Sequence, residues 1–356
     1  MFGALRRIVR FFYHDLKVLI AKVQSVIQAD RSQPIIHIGQ KKHSTNTYAI
    51  FLIWQPDELP WYVKNALKSL NELNINVLTI VNHPLDANRL SELQSLCCHV
   101  MVRNNVGFDI GAYKDGTRFI RGISQPSRVF YLNDSVYYFE EGLEQLFRRM
   151  AESTADVVAP FENHEYTYHI QSFCFAVSGL VFSSSLFQGF WEKFLPVNSR
   201  VWAISQGEVA LSKIVFSKFP SVEILYTPQF LRPKLLSLSL QELYHLNDYL
   251  PKLIRLDKSE PWGFSREQFI DLLLDKVTVR SQIHTGAFLY QRFLGCPMMK
   301  RDLVYRMHFS LDEVERNLYE VRTSTHIKEI VGEARSRGMG RELSPWNLAR
   351  FAEGLL

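Results

Sequence analysis

Strand-length apolar runs that alternate with segments of helical period leave this chain few architectures to adopt. Tyr48-Ala-Ile-Phe-Leu-Ile-Trp54 is a continuous apolar run closed by a turn between Pro56 and Pro60. Residues 61–73 then carry Val63, Ala66, Leu67, Leu70 and Leu73 at spacings of three and four, the period of a helix buried along one stripe. The runs Asn76–Asn82, His99–Arg103 and Val129–Leu132 repeat the first pattern, and 85–96 and 112–120 repeat the second. Strands apolar on both faces must be covered on both faces. Strict alternation with helices therefore predicts a parallel sheet between two helical layers, with right-handed crossovers. The periodicity continues with helices over 143–150, 186–194 and 208–216 and strands over 156–160, 171–177 and 222–226. The G-x-G-x-x-G signature is missing after the first strand.

The flanks read differently. Residues 2–23 place Phe2, Leu5, Val9, Phe12, Leu16, Leu19 and Val23 on one stripe, with Arg6, Arg7, Arg10, Lys17 and Lys22 opposite. Such a basic amphipathic helix suits a membrane surface, or equally packs on the body of the protein. Residues 30–46, polar and holding Pro34, read as a linker. After about residue 235 the pattern is helical and more polar, and Ser344-Pro345 marks the start of a last helix over 346–355. Cys97, Cys98, Cys174 and Cys296 have no C-x-x-C partner and suit buried thiols of a reducing compartment. With no signal peptide pattern and no run apolar enough to span a bilayer, a cytoplasmic location is expected. A net charge of +5 suits an acidic ligand or an anionic surface. Aromatic residues sit in apolar runs and are not interleaved with basic ones, so nucleic acid is not an expected partner.

Two stretches hold the candidate chemistry. In Asn105-Val-Gly-Phe-Asp-Ile-Gly-Ala112, two glycines one turn apart leave backbone N–H groups free at a helix start, a geometry that suits phosphate. Asp109 would repel phosphate and fits better as a ribose or base acceptor, or as an N-cap. A plain turn with a capping Asp is the alternative. In Phe130-Tyr-Leu-Asn-Asp-Ser135 an apolar strand ends on a carboxylate, which sets Asp134 at the carboxyl edge of the sheet, where open α/β sheets bind ligands. Asn133, Asp134 and Ser135 offer oxygen ligands to Mg2+ or Mn2+; otherwise Asp134 opens a turn. A strand-end carboxylate has no core to fill, so its loss should leave the fold intact. Glu208, following Gln206-Gly207, is a candidate general base or a capping carboxylate, and Gln171 and Ser172 lead a strand towards the same crevice. His164 and His169 are five apart, which does not match the zincin spacing of four.

Arg103-Asn-Asn-Val-Gly-Phe-Asp-Ile-Gly-Ala-Tyr113, Tyr131-Leu-Asn-Asp-Ser-Val-Tyr137, Gln171-Ser-Phe173 and Phe190-Trp191 followed by Glu208 resemble the rhamnan synthesis protein F family over roughly residues 48–256. The resemblance implies a glycosyltransferase A-like fold and a bacterial glycosyltransferase of cell-wall or lipopolysaccharide glycan assembly. It implies Asp134, with Ser135, on a divalent cation and diphosphate. Arg103, Asn105, Gly107, Asp109 and Asn133 would shape the donor pocket, with Gln171 and Glu208 near sugar and acceptor. The donor it implies is dTDP-L-rhamnose, and the acceptor a glycan or lipid-linked glycan at the inner face of the cytoplasmic membrane. The chain is thus expected as a basic helix and linker (1–46), a nucleotide-sugar domain (47–256) and a helical C-terminal region (257–356). In an inverting transfer a carboxylate must take the acceptor's proton; Glu208 is first in line, with Glu162 and Asp109 behind it. A non-catalytic nucleotide-sugar or glycan-binding subunit is the competing expectation.

Overall fold

The computed structural model of the chain describes residues 15–23, 33–165, 167–256, 263–322 and 325–338. A helix α1 (15–23) and a strand β1 (Ile35–Ile38) lead into the expected alternation. It runs β2 (Thr47–Ile53), α2 (Trp61–Glu72), β3 (Asn76–Val81), α3 (Ala87–Leu96), β4 (His99–Val102), α4 (Phe108–Ile123) and β5 (Arg128–Asn133). Next come β6 (Val136–Tyr138), α5 (Leu143–Glu152), β7 (Val157–Ala159), β8 (Glu162–Asn163), β9 (His169–Ile170) and β10 (Cys174–Ser178). Helices α6 (Gly179–Ser183), α7 (Ser185–Lys193) and α8 (Arg200–Trp202) follow, then a π-helical stretch Ala203–Val209, α9 (Ala210–Lys218) and β11 (Val222–Ile224). The rest comprises α10 (Pro228–Leu235), α11 (Leu240–His245), α12 (Arg266–Thr278), α13 (Gln282–Thr285), α14 (Ala287–Leu294), β12 (Met298–Lys300), α15 (Leu311–Val321) and α16 (Ile327–Arg337).

The main sheet has the order β1-β4-β3-β2-β5-β10-β7-β11. Strands β2 to β5 are parallel, as expected. Two strands depart from that expectation. β10 runs antiparallel between β5 and β7, because the short β8–β9 hairpin, and no crossover helix, connects β7 to β10. β1 runs antiparallel along β4 and lies in the segment expected as a linker. As an edge strand it needs no continuous apolar pattern, and Ile35 and Ile38 are exposed.

Strand alternation divides the core in two. Ala49, Phe51 and Ile53 of β2 and Phe130 and Leu132 of β5 face a cluster with α2 and α5, while Ile50, Leu52, Val129 and Tyr131 face one with α4, α7 and α9. The described residues beyond 256 are mainly helical, as expected, with β12 the one strand among them. They pack Phe269, Leu273, Phe288 and Met298 into the same cluster as α2 and α5. β12 pairs antiparallel with β6, Lys300 opposite Val136. The boundary at 256 therefore divides the sequence but not the core. Among the described residues no helix is long and apolar enough to cross a membrane. The expected helix over 346–355, and residues 2–14 of the expected first helix, lie outside the described residues.

Candidate active site

The glycine-containing loop between β4 and α4 is closed on itself. Arg103 donates from Nε to Asp115 Oδ2 at 2.7 Å, from Nη1 to Asn82 Oδ1 at 2.9 Å and from Nη2 to the Val106 carbonyl at 2.8 Å. Asn105 Oδ1 accepts from Asn82 Nδ2. The Asn198 side chain spans the loop: its Oδ1 accepts from Gly107 N at 2.6 Å and its Nδ2 donates to the Asn105 carbonyl at 3.1 Å. Gly107 has φ +76°, and a Cβ there would stand 2.5 Å from Pro196 Cβ. The glycine is thus required by the turn and by Pro196. Phe108, with φ 52°, starts α4 four residues earlier than the periodicity predicts. The N-cap is Gly107, so the capping role considered for Asp109 is not the one it has.

Asp109 instead turns towards the end of β5. Its Oδ2 accepts from Asn133 Nδ2 at 3.1 Å; Asn133 Oδ1 accepts from Ser135 N and Oγ; Ser135 Oγ accepts from Lys300 Nζ at 2.8 Å. One hydrogen-bonded chain therefore joins the first turn of α4, the strand end and β12. Asp134 points the other way. Its Oδ2 accepts from Trp54 N at 2.9 Å and Gln55 Nε2 at 2.6 Å, tying down the exit of β2. Arg301 donates to the Asp134 carbonyl at 2.7 Å, its Nη1 is 3.9 Å from Asp134 Oδ2, and it pairs with Glu333. Asp134 is a buried anchor whose removal would leave Trp54 N and Gln55 Nε2 without their acceptor.

Glu208 and Gln171 come from other segments, the π-helical stretch and the connection between β9 and β10. Glu208 does not open a helix: it lies inside the π-helical stretch ahead of α9, an irregularity common at functional sites. Its Oε1 accepts from Ser172 N at 3.2 Å and lies 3.6 Å from His169 Nε2. Burial, with Asp109 adding to it, raises its pKa to about 7. His169 Nδ1 must carry a proton, because its partner at 2.6 Å is the Thr167 carbonyl. A neutral imidazole then turns a bare Nε2 towards Glu208, which also favours a protonated carboxyl. Burial raises Asp109 in the same way. Gln171 Nε2 donates to Ser281 Oγ at 2.7 Å, and the bonds continue from Ser281 to His284 and from His284 to Asp302. Burial would raise Asp302, but His284, with Lys300 and Arg200, holds it below the ordinary carboxylate range.

The structure thus brings together Asp109, Asn133, Ser135 and Glu208. Arg103, Asn105 and Gly107 are held in the loop's own network, Asp134 at the exit of β2, and Gln171 beside Ser281. Lys300, Arg301, Asp302, His284 and Arg200 had no signal in the sequence, since each gains its meaning from partners far along the chain. Mg2+ or Mn2+ held by Asp134 and Ser135 would compete with partners already in place at Asp134 Oδ2 and Ser135 Oγ. Asp134 Oδ2 already has two donors and a guanidinium, and Ser135 Oγ carries an ammonium. Among the described residues no group of three or more His, Cys, Asp or Glu is placed to hold a metal ion. The four cysteines are buried and free, as expected.

A mostly parallel α/β sheet with charged groups gathered at its carboxyl edge defines the class of structure. Residues 77–229 match the family described as rhamnan synthesis protein F, the family whose motifs the chain resembles, over a shorter span than 48–256. An uncharacterised protein, y4gN, of Sinorhizobium fredii (strain NBRC 101917 / NGR234) is 28% identical over 234 residues, 63% of this chain. The chain spans 60% of that relative's length. Similar solved structures include one described as a nucleotide-diphospho-sugar transferase, from Desulfovibrio desulfuricans G20. It is 12% identical, with TM-score 0.35, over 51% of this chain and 80% of that one. Another is the glycosyltransferase GlyE of Streptococcus pneumoniae TIGR4, 12% identical, with TM-score 0.33, over 64% of this chain and 60% of that one.

Proposed function

We propose that this chain is a glycosyltransferase that moves a sugar, L-rhamnose in our reading, from a nucleoside diphosphate donor to a hydroxyl of a growing cell-surface glycan. The observation that carries the reading is Glu208, a largely buried carboxyl raised to about 7 beside Asp109, Ser172 and His169. A general base works best with its pKa near the operating pH. The acceptor oxygen bonds to the sugar's anomeric carbon as the bond from that carbon to the diphosphate oxygen breaks. The electron pair leaves with the diphosphate, and the acceptor's proton goes to Glu208, giving inversion. Asp109 and Asn133 would orient donor hydroxyls at the strand end.

The donor dTDP-L-rhamnose rests on the family resemblance. A lipid-linked acceptor would bring the enzyme to the inner face of the membrane, and the exposed Leu16, Leu19, Ile20 and Val23 of α1 support a surface-bound position. Liposome co-sedimentation of the full chain and of a chain lacking residues 1–24 tests this part: equal sedimentation of the two removes it.

Incubation of the purified chain with a panel of nucleotide sugars and a lipid-linked acceptor tests the reaction. Release of nucleoside diphosphate coupled to acceptor glycosylation is expected. Tight donor binding with no turnover on any acceptor would instead support a non-catalytic binding subunit.

A further inference from the structure

Lys300 is a cation whose surroundings are incomplete. It ends β12, which is fixed by pairing with β6, and it lies beside the end of β5, near enough to the π-helical stretch for Glu208 to act on it. Nζ donates to Ser135 Oγ at 2.8 Å and sits 4.2 Å from the centre of the Phe173 ring. It forms no ion pair with any described residue, although Asp109, Glu208 and Asp302 all act on it electrostatically. An ammonium has three protons to donate, and a cation taken from water is costly unless it is paired. Burial accordingly lowers its pKa. Arg200, from α8, is close enough to act on Lys300 and on Asp302. The two bring positive charge to the strand end where Asp134 and Ser135 are already committed to other partners.

We propose that Lys300, assisted by Arg200, is the cationic group that receives the donor's diphosphate, in the place expected for a divalent metal. The inference rests on the nucleotide-sugar reading above and assigns its leaving-group side. A protein ammonium neutralises charge on the departing diphosphate as a fixed electrostatic contact. It needs no metal ligands, which agrees with the commitments of Asp134 Oδ2 and Ser135 Oγ. It also gives the C-terminal region a role: β12, outside the family match of 77–229, completes the site.

Calorimetric titration of the full chain with dTDP and with UDP, in EDTA and again in Mn2+, is the test. Binding of at least one nucleotide in EDTA is expected, with little gained from Mn2+. Lys300→Met should weaken that binding about 10- to 100-fold, the scale of one charge-assisted hydrogen bond, and Lys300→Arg should recover most of it at an unchanged melting temperature. Where Lys300→Met lowers the melting temperature, Arg200→Met carries the test, and unchanged affinity there overturns the proposal. Binding that appears only with Mn2+, or parental affinity in Lys300→Met, also overturns it while leaving the glycosyltransferase reading in place. Absence of binding under both conditions overturns that reading and this proposal together.

Discussion

The loop after β4 and the strand end after β5 are neighbours at one sheet edge, yet they are built on opposite terms. In the loop nearly every polar group is spent: Arg103 on Asp115, Asn82 and Val106, and Gly107 N on Asn198. At the strand end Asp109, Glu208 and Lys300 act on one another electrostatically without a direct ion pair among them. A region whose bonds are internally satisfied holds shape. A region that keeps charges near one another but unpaired is prepared for a ligand, and perturbed titration follows from that. The residues most conspicuous in the sequence, the glycines, fall on the first side of this divide.

The sharpest break would come from Gly107→Val. A branched residue would have to adopt φ +76° with its Cβ 2.5 Å from Pro196. Backbone strain and overpacking together should cost about 2–5 kcal/mol, seen as a lower urea midpoint. Donor affinity lost at unchanged stability would return the glycine to the ligand side.

Glu208→Gln tests the other region. It keeps the size and the bond from Ser172, so donor binding should persist while turnover falls about 10²-fold or more. Wild-type turnover should rise as pH increases through about 7, as the carboxyl ionises. Stability should move the opposite way. Because the folded-state pKa is raised, the contribution of Glu208 is complete below the ordinary glutamate range and is lost as pH rises through about 7. The variant should therefore gain melting temperature relative to wild type between pH 5 and pH 8. A constant difference across that range would mean that Glu208 does not titrate there.

Asp134→Ala leaves Trp54 N and Gln55 Nε2 without their acceptor and Arg301 with less counter-charge. A loss of about 2–3 kcal/mol in chemical denaturation is expected. An intact fold with donor binding abolished would instead favour the role first expected of it. Asn198→Ala is the mildest test: it removes two hydrogen bonds to the loop and should cost about 1–2 kcal/mol, with turnover reduced less than in Glu208→Gln. The reverse order of effects would merge the two regions into one site.

The local chemistry of the sequence determined a good deal of this protein. Strands β2 to β5 and their helices could be read from apolar runs and helical spacing, because a strand buried on both faces has little freedom in composition. Asn133 and Glu208 could be picked out as polar residues at or after such runs. An edge strand such as β1, exposed at Ile35 and Ile38, carries no such pattern, nor does the reversed direction of β10. Which charges meet was decided only by the tertiary structure. Lys300 reaches Ser135 across 165 residues of sequence, and Asn198 reaches Gly107 across 91. Asp134 is an anchor and Glu208 a raised carboxyl because of what β12, the β2 exit and the π-helical stretch bring beside them. Burial and charge are properties of neighbours in space, and spacing along the chain does not encode them.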